Sequence, residues 1–498
     1  MTQQASAQLK SGGFARRNLH ITFLFASLFL PDFAVSPNVQ ASVYRYPLAR
    51  SLPQAQQNPG AQNAEDITTP EPGKPIERDL AGGQSHTYQI ALTEGQYLNA
   101  IVEQRGIDVV VRLLGPDGKQ IAEFDSEIRG QGQETVAQVA EISGSYRLIV
   151  QAKQKEAPVG RYEIRIGELR AATEKDRALQ EARRLNAEFA RLYRAGKLDE
   201  ARLLGEQVLE IREKALGTEH PDVAASLTNL AILYSAKGDF VKAESLHQRA
   251  LVIREKTLGP DHPNVAGSLN SLAILYSNKG DYLKAEPLWR SALAIREKAF
   301  GPDHPSVAAS LNNLAILYRD KGDFAKAEPL HQRALGIREK TLGPDHPDVA
   351  ASLYNLAILY YDKGNYAKAE PLWQRALAIK EKALGPDHPD VADSLNGLAA
   401  LSHANGHFAK AEPLYQRALA ILEKALGPDH PLVAASINNL AVLYLDKGDY
   451  AKVEPLYQRA LAIKEKAFGP DHPNVADFLN NIANLYREKG DYARAEPP

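Results

Sequence analysis

The sequence predicts a multidomain α+β protein in which a small antiparallel β-sandwich precedes an all-α superhelical solenoid. Two periodicities carry that prediction. From His220 onward the dipeptide His-Pro returns at 220, 262, 304, 346, 388, 430 and 472, a strict period of 42 residues, and fixed periods of about 20–50 residues mean stacked repeats. Between residues 76 and 168 apolar residues instead alternate in short runs broken by Gly, Pro and Asp, the pattern of half-buried antiparallel strands. The length of 498 residues is also too great for one ordinary core.

Each 42-residue unit reads as a helical hairpin. In the unit that begins at His304, Val307, Leu311, Leu314, Ala315 and Tyr318 recur at spacings of three and four and predict an amphipathic first helix. Pro305 takes its first position, where a missing N–H costs nothing, and Gly322 can adopt the left-handed conformation that ends it. Asp323 predicts the cap of a second helix whose apolar face is Phe324, Ala327, Leu330, Ala334, Leu335 and Ile337. Ala315 and Ala327 are short enough for the two axes to approach to roughly 8 Å. Pro329, with Pro287, Pro371, Pro413 and Pro455, removes one backbone hydrogen bond in the second turn and predicts a slight bend.

Leu314 followed by Ala315, Tyr318 one turn on, and Ala327 with Ala334 on the second helix give the chain its resemblance to the tetratricopeptide repeat (TPR). The longer unit, with Leu-Gly-Pro-Asp-His-Pro between hairpins and Leu-Asn-Asn-Leu-Ala within them, resembles the repeats of kinesin light chains and of many bacterial tetratricopeptide proteins. The resemblance covers about residues 178–498. On this reading 173–219 is a degenerate capping unit, opened by a partial capping arrangement of Thr173 and Asp176. Residues 220–471 hold six full units and 472–498 a truncated seventh. The truncation is expected to leave Leu479, Ile482 and Leu485 with an uncovered side, so either a partner covers this end or the chain is a fragment of a longer one, and the fragment is the favoured reading.

Strands are expected at 86–92, 96–104, 108–113, 120–124, 134–142, 144–151 and 160–166. Gly-Gln-Tyr-Leu at 95–98, Leu-Leu-Gly-Pro-Asp-Gly at 113–118 and Gly-Ser-Tyr-Arg-Leu-Ile-Val at 144–150 resemble the bacterial pre-peptidase C-terminal domain. That resemblance implies a small jelly-roll-like module appended to secreted proteins. Asp117, Asp125 and Glu127 could hold calcium, but acids in such turns read first as turn chemistry.

At the amino terminus Lys10, Arg16 and Arg17 precede an apolar stretch over 19–30, and Val39-Gln40-Ala41 offers a cleavage site, so 1–41 reads as a secretory signal. Residues 42–75, rich in Pro, Gln, Ala and Gly, read as an extended linker. The expected location is therefore exported, periplasmic or extracellular, if the leader acts as a signal, and cytoplasmic otherwise. The apolar stretch is too short for a stable membrane span of about 30 Å. Absence of cysteine excludes disulfides and thiolate metal sites. A net charge of −2 provides no field for nucleic acid.

Catalytic patterns are missing: the sequence has no phosphate loop, no His-Glu-x-x-His and no Gly-x-Ser-x-Gly, and no isolated departure from the repeat marks an inserted site. Histidines of successive hairpins stand on the order of 10 Å apart, too far to share a metal whose ligands lie within about 4 Å of each other. Neither a cofactor nor a metal is expected.

The candidate binding residues are two asparagine ladders on the first helices. One runs through Asn270, Asn312, Asn396, Asn438 and Asn480, broken at Thr228 and Tyr354; the other through Asn229, Asn313, Asn355, Asn439 and Asn481, broken at Ser271 and Gly397. An amide both donates and accepts, and the TPR resemblance implies groove asparagines that pair with the backbone of a peptide ligand. The alternative is that they bond to a neighbouring helix or loop. One turn on, Arg319, Tyr361, His403 and Arg487 vary between units and could select a partner. The reading is a non-catalytic protein interaction scaffold holding a peptide or protein segment in a concave groove. Two alternatives stay open. The domain order resembles the amino-terminal part of exported bacterial proteins that continue into a caspase-like CHAT peptidase domain, which would make this region a sensor; and the kinesin light chain resemblance implies a cytoplasmic adaptor.

Overall fold

The computed structural model describes residues 68–125, 131–153, 158–470 and 473–495. The expected leader, the linker up to residue 67, Glu127 and His472 lie outside the described residues. The described chain forms two compact units, one through Leu359 and one from Tyr360 onward.

Eight strands open the first unit: β1 (Ile76–Leu80), β2 (Ser85–Leu92), β3 (Gln96–Arg105), β4 (Val109–Leu114), β5 (Gln120–Phe124), β6 (Gln131–Val139), β7 (Gly144–Ala152) and β8 (Gly160–Ala171). They make two four-stranded sheets, ordered β1-β8-β3-β6 and β2-β7-β4-β5. β1 pairs with β8, β2 with β7, β3 with β6 and β4 with β5, all antiparallel. This nesting is that of one long hairpin rolled on itself, the topology of a jelly roll. Alternate side chains turn inward because strand residues point to opposite faces in succession; Tyr88, Leu98, Ala100, Val102, Leu148, Val150, Tyr162 and Ile164 meet in the core.

The sequence marked seven strands and missed β1. Its residues, Ile-Glu-Arg-Asp-Leu, hold apolar side chains only at the two ends, so there is no alternation to read. Pairing with β8, from Ile76 opposite Ile164 to Leu80 opposite Gly160, makes it a strand. The turn acids have local partners. Asp117 accepts the Lys119 N–H at 3.1 Å, and Lys153 lies 2.9 Å from Asp125 and 3.7 Å from Asp108. Among the described residues no cluster of His, Asp and Glu could hold a metal ion.

β6 is an edge strand, and an open edge invites pairing with another chain. The first helix, α1 (Glu174–Arg194), covers it. The Val139 N–H donates to Gln180 Oε1 at 2.6 Å, Gln180 Nε2 donates to the Val139 carbonyl at 3.3 Å, and Arg183 Nη2 donates to the Ala137 carbonyl at 2.5 Å. Thr173 and Asp176 start α1 with a full capping box: the Asp176 N–H donates to Thr173 Oγ1 at 3.2 Å and the Thr173 N–H to Asp176 Oδ2 at 2.8 Å.

The hairpins follow. α1 pairs with α2 (Leu198–Leu216); then come α3 (Pro221–Ala236) and α4 (Phe240–Leu258), α5 (Pro263–Asn278) and α6 (Tyr282–Phe300), and α7 (Pro305–Asp320) and α8 (Phe324–Leu342). α9 (Pro347–Asp362), α10 (Tyr366–Leu384), α11 (Pro389–Ala404), α12 (Phe408–Leu426), α13 (Pro431–Asp446), α14 (Tyr450–Phe468), α15 (Pro473–Glu488) and α16 (Tyr492–Ala495) complete the series. Within each unit consecutive hairpins pack as a solenoid.

The recurring His is itself the cap of α3, α5, α7, α9, α11 and α13. His304 Nδ1 accepts the Ser306 N–H at 3.1 Å, and His220, His262, His346, His388 and His430 repeat this within 3.1–3.2 Å. Asp323 Oδ1 accepts the Lys326 N–H at 3.3 Å, and Gly322, with φ of 75°, supplies the left-handed turn between helices. α8 runs through Pro329 without interruption.

One expectation fails. The first helices inside the array are not amphipathic, in contrast to α1 and α15 at its ends: α3 is buried at every residue from Val223 to Leu233 and α13 at every residue from Val433 to Leu445. A helix apolar on all sides must be enclosed on all sides, and the leucine stripe read from the sequence is only one wall of that enclosure. The second helices carry the solvent face; α8 buries only Ala327, His331, Ala334 and Ile337. In α15 Leu479 is 49% exposed, where Leu311 and Ile437 are 0%. Leu485, expected to be uncovered, is fully buried with Leu440 and Tyr444 in its cluster, and Ile482 is half-buried. Among the described residues no helix is long and apolar enough to cross a membrane.

Candidate peptide-binding surface

The two asparagine ladders are one structure. A first-ladder residue accepts a hydrogen bond from the second-ladder residue 43 positions on, in the next hairpin. Asn313 Nδ2 donates to Asn270 Oδ1 at 2.7 Å, Asn355 Nδ2 to Asn312 Oδ1 at 2.9 Å, and Asn481 Nδ2 to Asn438 Oδ1 at 2.8 Å. The same oxygen takes a second donor from the second helix of its own hairpin: Trp289 Nε1 reaches Asn270 at 2.9 Å and His331 Nδ1 reaches Asn312 at 3.0 Å. Asn229 Nδ2 extends the series backward to Asn186 at 3.2 Å, a member that stands one period of 42 before Thr228 in the degenerate capping unit.

Burial corrects the role given to these residues. Asn229, Asn270, Asn312, Asn355, Asn396, Asn438 and Asn439 are each 5% exposed or less. An amide whose oxygen already holds two donors in a buried interface cannot pair with a ligand backbone without giving up those bonds. Asn313 and Asn481 are half-buried and donate within the clasp; Asn480 is exposed. Asn396 is buried with neither amide atom bonded.

The breaks in the ladders are paired as well. Thr228 and Ser271 stand 43 apart, as do Tyr354 and Gly397. Thr228 Oγ1 and Ser271 Oγ turn back to the carbonyls of Ala224 and Gly267 at 2.9 and 3.1 Å. At Gly397 a Cβ would stand 2.6 Å from Trp373 Cε2, so the indole occupies the room an asparagine would need.

The variable row presents different surfaces. Arg319 is buried and donates from Nε and Nη2 to Asp320 Oδ1 at 3.0 and 2.6 Å. Tyr361 is half-buried, its ring 5.3 Å from Tyr366 and 5.8 Å from Trp373, and burial pushes its hydroxyl pKa up. His403 Nε2 lies 2.8 Å from Asp446 Oδ2 with its ring edge toward Phe408; Arg487 is exposed. The sequence reading passed over the next residue. Asp320, Asp362, Asp446 and Glu488 are all exposed, and each ends its first helix. Carboxylates at a helix carboxyl end oppose the helix dipole at a cost of about 0.3–1 kcal/mol each, so helix stability does not explain their recurrence.

Buried side-chain clasps between successive hairpins, with a changing row at the ends of the first helices, define an α-helical repeat protein. The tetratricopeptide repeat profile matches residues 182–256, 235–282, 265–340, 309–381, 349–424, 392–466 and 448–497, and the chain belongs to that family. Among solved structures it is similar to kinesin light chain nearly identical TPR-like repeats of Podosopora anserina, at 33% identity over 41% of this chain and 98% of that one, TM-score 0.35. It is similar to BtubC (BKLC) of P. vanneervenii at 28% identity over 51% and 94%, TM-score 0.37. A Rap protein complexed with Competence and Sporulation Factor is 17% identical over 64% and 95%, TM-score 0.43. No curated protein sequence matches the chain.

Proposed function

We propose that this chain is a non-catalytic scaffold that holds a peptide or protein segment along its first helices, and that the segment carries basic side chains. The observation that carries the reading is the exposed row Asp362, Asp446 and Glu488 of the unit from Tyr360 onward, repeated at one position of the hairpin and placed where carboxylates do not help the helix. Beside it Tyr361, half-buried, and Arg487, exposed, differ in charge and shape, which supplies selectivity among basic segments. The asparagines hold the frame to which this row is fixed. The jelly roll is fastened to the first hairpin through β6 and α1 and serves as a fixed neighbour of the array.

The test is binding of fluorescein-labelled peptides graded from Lys/Arg-rich to Asp/Glu-rich. Affinity should rise with basic content and fall as salt shortens the Debye length from about 10 Å at 0.1 M. Tight binding that is indifferent to peptide charge and to salt refutes the acidic row as the recognition element.

A further inference from the structure

The polar links between successive hairpins repeat with the sequence, and at one junction they are missing at one end only. In most hairpins the glutamate early in the second helix receives the tyrosine hydroxyl and the lysine of the next. Tyr276 and Lys279 donate to Glu244 at 2.8 and 2.9 Å, Tyr318 and Lys321 to Glu286 at 2.7 and 2.8 Å, Tyr444 and Lys447 to Glu412 at 2.8 and 2.5 Å, and Tyr486 and Lys489 to Glu454 at 2.9 and 2.8 Å. The partners pull Glu286 down to about 2, Lys321 first, and they depress Glu244, Glu412 and Glu454 in the same way. In α10 the corresponding residue is Glu370, and the places of the tyrosine and lysine are taken by Ser402 and Asn405. Ser402 Oγ donates to its own helix at Leu398, and Gln374 Nε2, from Glu370's own helix, stands 3.3 Å from that carboxylate.

The other end of α10 keeps its ties. Arg417 Nη2 lies 2.7 Å from Glu381 Oε1, Lys424 Nζ lies 2.6 Å from Asp387 Oδ2, and Lys380 Nζ donates to the Asp390 carbonyl at 2.8 Å. Glu370 and Glu381 are eleven residues apart in one helix, about 16 Å along its axis. The covalent connection between α10 and α11 is at the tied end too. At the open end the Trp373 ring packs against Gly397, and dispersion of that kind tolerates sliding that a directed hydrogen bond does not.

We infer that the α10–α11 junction is a built-in hinge, tied where α10 ends and free where it begins, about which the array opens between the row positions Tyr361 and His403. In a stack coupled through nearest-neighbour interfaces, the interface with the fewest links opens first.

Amide hydrogen exchange of the full chain tests it. Residues 366–374 and 398–404 should exchange at least tenfold faster than their counterparts 408–416 and 440–446. Restoring the link with Ser402→Tyr and Asn405→Lys should slow them to the level of those counterparts. Glu412→Ala, which cuts the link one hairpin later, should bring 408–416 and 440–446 up to the fast rate. Equal protection of the two regions in the wild-type chain overturns the hinge, and so does fast exchange that neither substitution moves.

Discussion

Asn312 Oδ1 accepts the side-chain N–H of Asn355 at 2.9 Å across the boundary between two hairpins, while His331 Nδ1 meets the same oxygen at 3.0 Å from the hairpin's own second helix. All three side chains are buried. The oxygen therefore fixes a hairpin internally and to its successor at once. Asn312→Ala removes the acceptor and strands two buried donors, so a loss of about 1–3 kcal/mol is expected, read as a lower urea midpoint. The exposed Asn480 provides the control: Asn480→Ala should stay within about 0.5 kcal/mol.

Gly397 and Trp373 form a second matched pair. A Cβ at 397 would fall 2.6 Å from the indole, and overpacking of this kind costs about 1–3 kcal/mol. Gly397→Asn should destabilise the chain, and adding Trp373→His, the residue used at the corresponding His331, should restore much of the loss. A double-mutant cycle by thermal melting checks it; purely additive losses would separate the two sites.

Two buried histidines predict acid sensitivity. Burial pushes His331 down to about 3 and His247 down to about 4, from an ordinary value of 6.5. With the folded pKa lowered, the unfolded chain binds more protons between 6.5 and these values, so stability falls as pH drops through that window and is complete above it. Replacing both with Gln should flatten the dependence of the melting midpoint between pH 6.5 and 4.

Gln180 and Arg183 cover the β6 edge. Removing both side chains as Gln180→Ala with Arg183→Ala leaves the Val139 N–H and Ala137 carbonyl open to another chain. Concentration-dependent self-association by light scattering is the expected outcome, with the wild-type chain as reference.

The hairpins were legible because helix ends and packing alanines are local signals, repeated at a fixed spacing. Thr173, Pro305, Gly322 and Asp323 each act where their chemistry suggests. The ladders were visible as positions but not as bonds. A spacing of 42 relates equivalent residues, whereas the clasp joins residues 43 apart, and only the matched substitutions Thr228 with Ser271 and Tyr354 with Gly397 betray it in the sequence. The enclosure of the first helices was not legible either, since a stripe at helical spacing identifies one packed face and leaves the others undecided. Departures that look scattered in the text, Gly397, Ser402 and Asn405, gather along α11 and the turn that follows it.

The central claim, that the asparagines hold the frame and the acids hold the partner, is tested most directly by comparing two variants in one assay. Basic-peptide affinity and melting midpoint are measured for Asp362→Asn/Asp446→Asn/Glu488→Gln and for Asn312→Ala. The account predicts that the charge variant loses at least tenfold in affinity with its midpoint unchanged, and that Asn312→Ala lowers the midpoint while still binding at a temperature where it is folded. The reverse pattern, with affinity lost only in Asn312→Ala at full stability, would contradict it.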